Sequence, residues 1–465
     1  MSRRLGLFVA LPLCVALCML APSGCRERVR FDVAKMDQLF DVLETNDRMM
    51  GSVTVRQHGD VIYRRTLGRS FDGPAGSART DGETKFRVGS ITKVFTAVMI
   101  YQLVDEGKLQ LVTKLSRFFP KVENAESITI AHLLGHTTGL PDYVPGWKTD
   151  VVPTRESIVS AIEQLHGRFA PGAKRQYSNT NFTLLGFILE DVGGEDYGTA
   201  LDERIVRRVR LRRTHFGGAV HPEANEARAF YFDDGKWVVQ PDDDIRLSGG
   251  AGGVVSTTDD LTQFVSALFS GRLISATSLR EMTTPFADGL GPGGKGLGRY
   301  DLAIPQRHGF AHDGGIGAFA SLLGYMPEDD IAVAITINGY NYPQNRVFRR
   351  IWQILYGAST EIPSFVAVKL PDDALRRYAG RFALGNAFFI DVRVEGTGLV
   401  AQASGQDSFP LTAIGPRTFT YVPAGILVEF EDSATPSSKF TLFQQKGELV
   451  LERQAPADKA GVPPS

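Results

Sequence analysis

Val88–Val104 reads VGSITKVFTAVMIYQLV. Between Ile91 and Val104 the only charged residue is Lys93. The spacing predicts a helix that is apolar on nearly every side, and therefore buried, ending near Gly107. Ser90 follows Gly89 and stands at the start of it. The ordinary job of such a serine is to cap the helix, and that of such a lysine is to snorkel to the surface. Two considerations oppose these readings. A cation in the first turn opposes the helix macrodipole. A lysine on a buried helix costs desolvation energy unless it is paired or loses its proton. Ser90 and Lys93 are three residues apart, so their side chains share a face. A serine hydroxyl beside a lysine of lowered pKa is an activated nucleophile. S-x-x-K alone is a weak signal; at the start of a buried helix it is a stronger one.

Further blocks occur in order along the chain. Pro171-Gly172 is followed by Tyr177-Ser178-Asn179 and an apolar helix from Thr180. His312-Asp313-Gly314-Gly315 stands immediately before a run that reads as strand. Ile128–Tyr143 reads ITIAHLLGHTTGLPDY and Gly249–Asp260 reads GGAGGVVSTTDD. Together these residues resemble the serine β-lactamase-like family of penicillin-recognising hydrolases. The resembling branch holds class C β-lactamases, certain esterases, D-amino-acid peptidases and DD-carboxypeptidases. The resemblance covers roughly residues 35–355.

The resemblance implies an α/β (α+β) fold: an antiparallel central sheet flanked by helices, with a helical subdomain. It also assigns roles. Ser90 is expected to be the nucleophile that forms an acyl-enzyme, and Lys93 the neighbour that shifts its proton. Tyr177 is expected to act as a phenolate-like base and later as proton donor to the leaving group, which requires nearby cations. Asn179 is expected to orient Lys93 or the substrate amide. His312 takes the place of the lysine found in most β-lactamases. Gly314 is expected to keep the strand edge bare for substrate, and the N–H groups of Ser90 and Gly315 to form an oxyanion hole. No metal or other cofactor is implied.

Other residues fit simpler readings. His132 and His136 are four apart, like helical metal ligands. Leu133 stands where a zinc protease has glutamate, so both read as structural. Asp142 and Tyr143 border the entrance without an assigned role. Asp242-Asp243-Asp244 reads as a solvated loop. The chain has no G-x-S-x-G, so an α/β-hydrolase route to a serine nucleophile is unsupported.

Outward from the motifs, apolar spacing at Met36, Leu39, Phe40 and Leu43 predicts a helix. Ser52–Arg56 and Val61–Arg65 predict a hairpin, and Ser70–Gly82 a loop. Helices are expected over Arg155–Leu165, Thr180–Val192 and Asp259–Phe269, and glycine-rich Gly289–Gly298 reads as mobile or tightly turned. Ser321–Tyr325 and Ile331–Asn338 predict strands joined by the turn Pro327–Asp330, and Phe348–Tyr356 a closing helix. A hydrolase domain over 31–360, a linker over 361–371 and a small all-β antiparallel barrel over 372–455 follow. Short strands separated by turns mark the last of these. Leu375, Tyr378-Ala379-Gly380 and Phe382 resemble a lipocalin-like β-domain. Residues 456–465 read as disordered.

Composition bounds the function. Of 465 residues, 43% are apolar and 22% charged, which excludes disorder or a multi-span membrane protein for the whole chain. Lys and Arg total 51 against 52 acids, so no basic field gathers nucleic acid. The three cysteines are Cys14, Cys18 and Cys25. Arg3 and Arg4 followed by the uncharged run Leu5–Leu20 read as an export signal over 1–24. Ser23-Gly24-Cys25 resembles the bacterial lipoprotein signal, with Cys25 as lipid-modified N-terminus. Pro22 departs from the leucine preferred three residues before that cysteine. The expected location is the cell envelope or periplasm, anchored to the membrane at Cys25. Expected substrates are a small-molecule ester, a D-amino-acid peptide or amide, or a β-lactam. His312 removes a permanent cation that would hold a substrate carboxylate, which favours esterase or peptidase chemistry over antibiotic resistance. The competing reading is a non-hydrolytic envelope lipoprotein that binds muropeptide or a protein partner in the same cleft. Oligomeric state is left open.

Overall fold

Ile331–Tyr340 alternates in a way the one-letter sequence conceals. Every residue is buried, but Ile331, Val333, Ile335 and Ile337 enter one core and Ala332 and Ala334 the other. The period of two puts bulky residues on one face and small ones on the opposite face. This strand organises the hydrolase domain. The computed structural model describes residues 28–73, 76–143, 154–241, 245–286, 293–302, 304–385, 388–431, 436–444 and 447–454. The leader with Cys25, the Asp242–Asp244 run, part of Gly289–Gly298 and the 456–465 tail lie outside the described residues.

The central sheet contains β1 (Met49–Gln57), β2 (Asp60–Leu67), β3 (Gly298–Tyr300), β4 (Gly309–Ile316), β5 (Phe319–Met326) and β6 (Ile331–Tyr340). Their spatial order is β3-β4-β5-β6-β1-β2 and each pair is antiparallel. The first two strands of the chain thus close onto the last. The large-residue face is covered by α1 (Val33–Thr45), capped by Asp32, which accepts from Lys35 N at 2.9 Å. Met36, Leu39, Phe40 and Leu43 are its buried stripe.

On the small-residue face lies the helical subdomain. It includes α2 (Thr92–Asp105), α3 (Asn179–Gly193) and α4 (Thr258–Phe269). Residues Thr92 to Leu103 of α2 are all buried, as its composition requires. The alanines of β6 leave space for α4 to come close. Its Thr258 hydroxyl bonds Ser52 at 3.0 Å and Thr54 at 2.8 Å on β1. Returning to the first face, α5 (Gln344–Leu355) buries Val347, Phe348, Ile351 and Trp352 beside α1. One expected loop is not a loop: Arg69–Gly73 and Gly76–Arg79 pair as an antiparallel ribbon within Ser70–Gly82. It buries little apolar surface, so it carries no alternation to read.

Residues 361–371 contain no helix or strand. After them eight strands close a barrel. They are β7 (Gly380–Leu384), β8 (Phe388–Glu395), β9 (Gly398–Ala403), β10 (Ser408–Ala413), β11 (Thr418–Tyr421), β12 (Ile426–Phe430), β13 (Lys439–Gln444) and β14 (Gly447–Arg453). Each pairs with its sequence neighbour, and β7 meets β14 through Phe382 and Arg453. Phe382, Phe419, Phe430 and Phe440 are buried inside, so aromatic side chains fill the barrel. The barrel packs against the hydrolase domain. Its Ile414, Leu427 and Phe443 join the core around α5, and the Arg346 guanidinium lies 4.2 Å from the Phe443 ring centre.

Candidate active site

The turn before α2 is set by the backbone. Phe86–Arg87 pairs with Val254–Ser256, and the chain then swings through Gly89 at φ +49°. Gly89–Ile91 forms a tight 3-10 turn, and no side chain caps α2. The Ser90 hydroxyl is therefore free of capping duty. The turn lies flush against β4. A Cβ on Gly89 would stand 2.6 Å from Gly315 N. A Cβ on Gly314 would stand 2.0 Å from Val88 O and 3.1 Å from Ser90 N. Ser321 Oγ donates to Val88 O at 2.7 Å and holds the seam shut. The missing side chain of Gly314 makes room for the serine turn itself. The backbone nitrogens of Ser90 and Gly315 thus lie close to this seam, one on the turn and one on β4.

Lys93 is fully buried. Its Nζ reaches Ser90 Oγ at 2.9 Å, Asn179 Oδ1 at 2.8 Å and the Ala251 carbonyl at 2.7 Å. Burial pulls its pKa down to about 7, and the Asp142 and Asp313 carboxylates limit the fall. Near neutral pH a large fraction of Lys93 is thus an uncharged amine able to accept a proton. The glycine turn supplies the Ala251 acceptor by coming close to α3. A Cβ on Gly250 would meet Phe182 O at 2.7 Å.

Tyr177 precedes α3 and its hydroxyl donates to Ser90 Oγ at 2.6 Å. Burial and the Asp313 and Asp142 carboxylates push its pKa up, outweighing the Ser90 hydrogen bond and Arg175. The raised pKa favours the phenol as the resting form of Tyr177. The cation that would have stabilised a phenolate, Lys93, is itself easily discharged. The Tyr177 ring stacks on His136, with centres 4.5 Å apart. His136 is buried, and burial with the charges of Lys93 and Arg175 holds its pKa well below the ordinary imidazole value. Its Nδ1 accepts from Ser178 N at 3.2 Å, so the neutral ring is a fixed platform under Tyr177. His132 instead closes a capping box with Thr129.

Asp142 is a site residue to which the sequence reading gave no role. Its carboxylate accepts from the Asn179 backbone N–H and, at 3.3 Å, from Asn179 Nδ2. That leaves Asn179 Oδ1 turned to Lys93. The signal was present in the Ile128–Tyr143 stretch, but its partner lies 37 residues away. His312 is half-buried, with Nδ1 2.6 Å from Asp313 O. Burial, Lys93 and Arg175 lower its pKa, so it adds no permanent cation. Among the described residues no cluster of His, Cys, Asp or Glu is placed to hold a metal ion.

The beta-lactamase family profile matches residues 36–358. The chain belongs to the beta-lactamase family. Its members are serine hydrolases, and the match spans the sheet and the helical subdomain described above. Penicillin-binding protein 4* of Bacillus subtilis is 25% identical, over 89% of this chain and 97% of that protein. The D-alanyl-D-alanine-carboxypeptidase/endopeptidase AmpH of Escherichia coli is 27% identical, over 57% of this chain and 73% of that protein. Among solved structures, a D-stereospecific amidohydrolase from Streptomyces superposes with a TM-score of 0.59 at 28% identity, over 70% of this chain and 99% of that one. As a member of the beta-lactamase family the chain is a serine hydrolase by class.

Proposed function

We propose that the protein is an exported serine hydrolase, acylated on Ser90, that cleaves an ester bond or an amide bond in a D-amino-acid peptide. The observation that carries this is one oxygen bracketed by two groups: Ser90 Oγ lies 2.9 Å from Lys93 Nζ and 2.6 Å from Tyr177 OH. The neutral Lys93 amine takes the Ser90 proton as Oγ attacks the carbonyl carbon. The N–H groups of Ser90 and Gly315 receive the oxyanion. Tyr177, a phenol, gives its proton to the departing nitrogen or oxygen as that bond breaks. The Lys93 ammonium then returns its proton to the Tyr177 phenolate, which restores both groups for the second half-reaction. Water reverses the sequence to release the acid. Asn179, held by Asp142, keeps Lys93 aimed at Ser90.

The names of the relatives support D-configured amide substrates, and neutral His312 supports substrates without an obligatory carboxylate at that position. β-Lactam turnover is secondary in this reading. The leader and Cys25 support export and lipid anchoring in the cell envelope. The test is a panel of an ester, a D-amino-acid amide, a D-alanyl-D-alanine peptide and a penicillin, with protein lacking residues 1–25. Turnover of the ester or a D-amide, with loss of covalent labelling in Ser90→Ala, supports the reading. Labelling that survives Ser90→Ala would sink it.

A further inference from the structure

A cavity of about 370 Å³ lies where the barrel meets the hydrolase domain. One wall is Gly317 and Ala318, directly after β4, and the facing wall is Ala424 and Gly425 of the barrel. Phe230, Tyr231 and Phe232, from the ribbon Phe230–Asp233/Lys236–Val239, supply aromatic sides. The size suits a ring-sized group with its linkage.

Its position relates it to the candidate active site. At about 3.3 Å per residue, Gly317 lies about 7 Å along the chain from the Gly315 amide. The rim is fixed: Gln240 Oε1 accepts from Ala318 N at 2.6 Å. The group a leaving group needs is at the serine: Tyr177 OH lies 2.6 Å from Ser90 Oγ, and Arg175 acts on both Tyr177 and His312. A substrate whose leaving group faces Tyr177 therefore runs its acyl part the other way, along β4 toward Gly317. The lining says what the cavity takes: its sides are aromatic, its end walls are glycine and alanine, and none of its lining residues is charged.

We propose that this cavity is an acyl-side subsite, completed by the barrel, for an aromatic or large apolar group. It rests on the acyl-enzyme reading of Ser90. In this account the barrel is part of the specificity apparatus, and Ala424-Gly425 is the edge that meets substrate.

The test compares two p-nitrophenyl esters, of acetic acid and of N-phenylacetylglycine, on the purified two-domain protein. The acetyl group stops at the serine, whereas the phenyl ring of the second reaches about two residues along β4. Wild type is expected to favour the phenylacetylglycyl ester in kcat/KM. Ala424→Trp, which fills the cavity from the barrel side, should raise KM for that ester by about tenfold and leave the acetyl ester unchanged. Tyr231→Ala, which opens a wall, should do the same more weakly and covers the case of a misfolded Ala424→Trp. If both variants fold and treat both esters as wild type does, the subsite is overturned. If neither ester acylates Ser90 in wild type, the serine reading itself fails, and the subsite with it.

Discussion

Lys93 and Asn179 meet at 2.8 Å across 86 residues of sequence, and this contact aims the amine at Ser90. With the Ala251 carbonyl at 2.7 Å, it fixes a fully buried lysine whose pKa falls to about 7. Acylation should rise with pH as Lys93 loses its proton, with a limb near pH 7. In Lys93→Ala the acylation rate should fall by about 100-fold or more, and the limb should vanish. Single-turnover labelling across pH 5–9 checks this; a folded Lys93→Ala protein with near-normal rates contradicts it.

The same shift makes a statement about stability. The unfolded chain holds the Lys93 proton up to about pH 10, whereas the folded chain releases it above about 7. Between these values the unfolded state binds more protons, so the Lys93 contribution to stability rises with pH. Relative to Lys93→Met, wild type should gain at most about 1.4 kcal/mol per pH unit in that window. Below pH 7 the difference should be flat. Urea melts of both proteins from pH 6 to 10 measure it, and a difference that narrows in the opposite direction excludes a depressed lysine.

Asp142 should act through Asn179 and through charge. Its carboxylate raises the Lys93 pKa, opposing burial. Asp142→Ala should therefore move the rate limb below pH 7 and cut kcat by about tenfold, while Asp142→Asn recovers part of kcat without restoring the limb. A purely structural role would lower kcat and leave the limb in place, so the pH profile separates the two.

How much of this was legible depended on range. Ser90 and Lys93 share a turn, and the buried texture of their helix is written in adjacent residues. Tyr177-Ser178-Asn179 and His312-Asp313-Gly314-Gly315 are also local signals. The closing of β1 onto β6 was not legible, because Met49 pairs with Tyr340 and no local pattern encodes that pairing. Asp142 was visible as a residue but not as an anchor, since its partner is α3. The resting form of Tyr177 was not legible from its motif. The sequence reading counted cations near the ring, while the structure adds burial and the carboxylates of Asp142 and Asp313. The barrel strands after residue 388 follow alternation. β10 alternates too, Phe409, Leu411 and Ala413 against exposed Ser408, Pro410 and Thr412, but Pro410 in its middle argues against a strand in the sequence.

Cys25→Ser tests the proposed address. If Cys25 carries lipid, the wild-type protein should fractionate with membranes and the variant should be released. Soluble wild type, or a variant still bound to membranes, contradicts lipidation. The hydrolase reading does not depend on the outcome.

Gly314 offers the sharpest geometric test. The seam between β4 and the Ser90 turn admits no side chain there, because a Cβ would fall 2.0 Å from Val88 O and 2.5 Å from Ser321 Oγ. The Ser321 hydroxyl can rotate away, but the Val88 carbonyl is backbone and must shift. Gly314→Ala should therefore part the strand from the turn. The Ser90 and Gly315 N–H groups would then no longer converge on one oxyanion. Loss of one such donor costs about 100-fold or more in kcat. The Lys93–Ser90 pair sits within a single turn and should survive. The variant should thus keep its pH limb near 7 while acylating at least about 100-fold more slowly. Circular dichroism and a stopped-flow pH profile on the same sample decide it. A folded Gly314→Ala protein with wild-type acylation would show that the seam is not where the oxyanion is held.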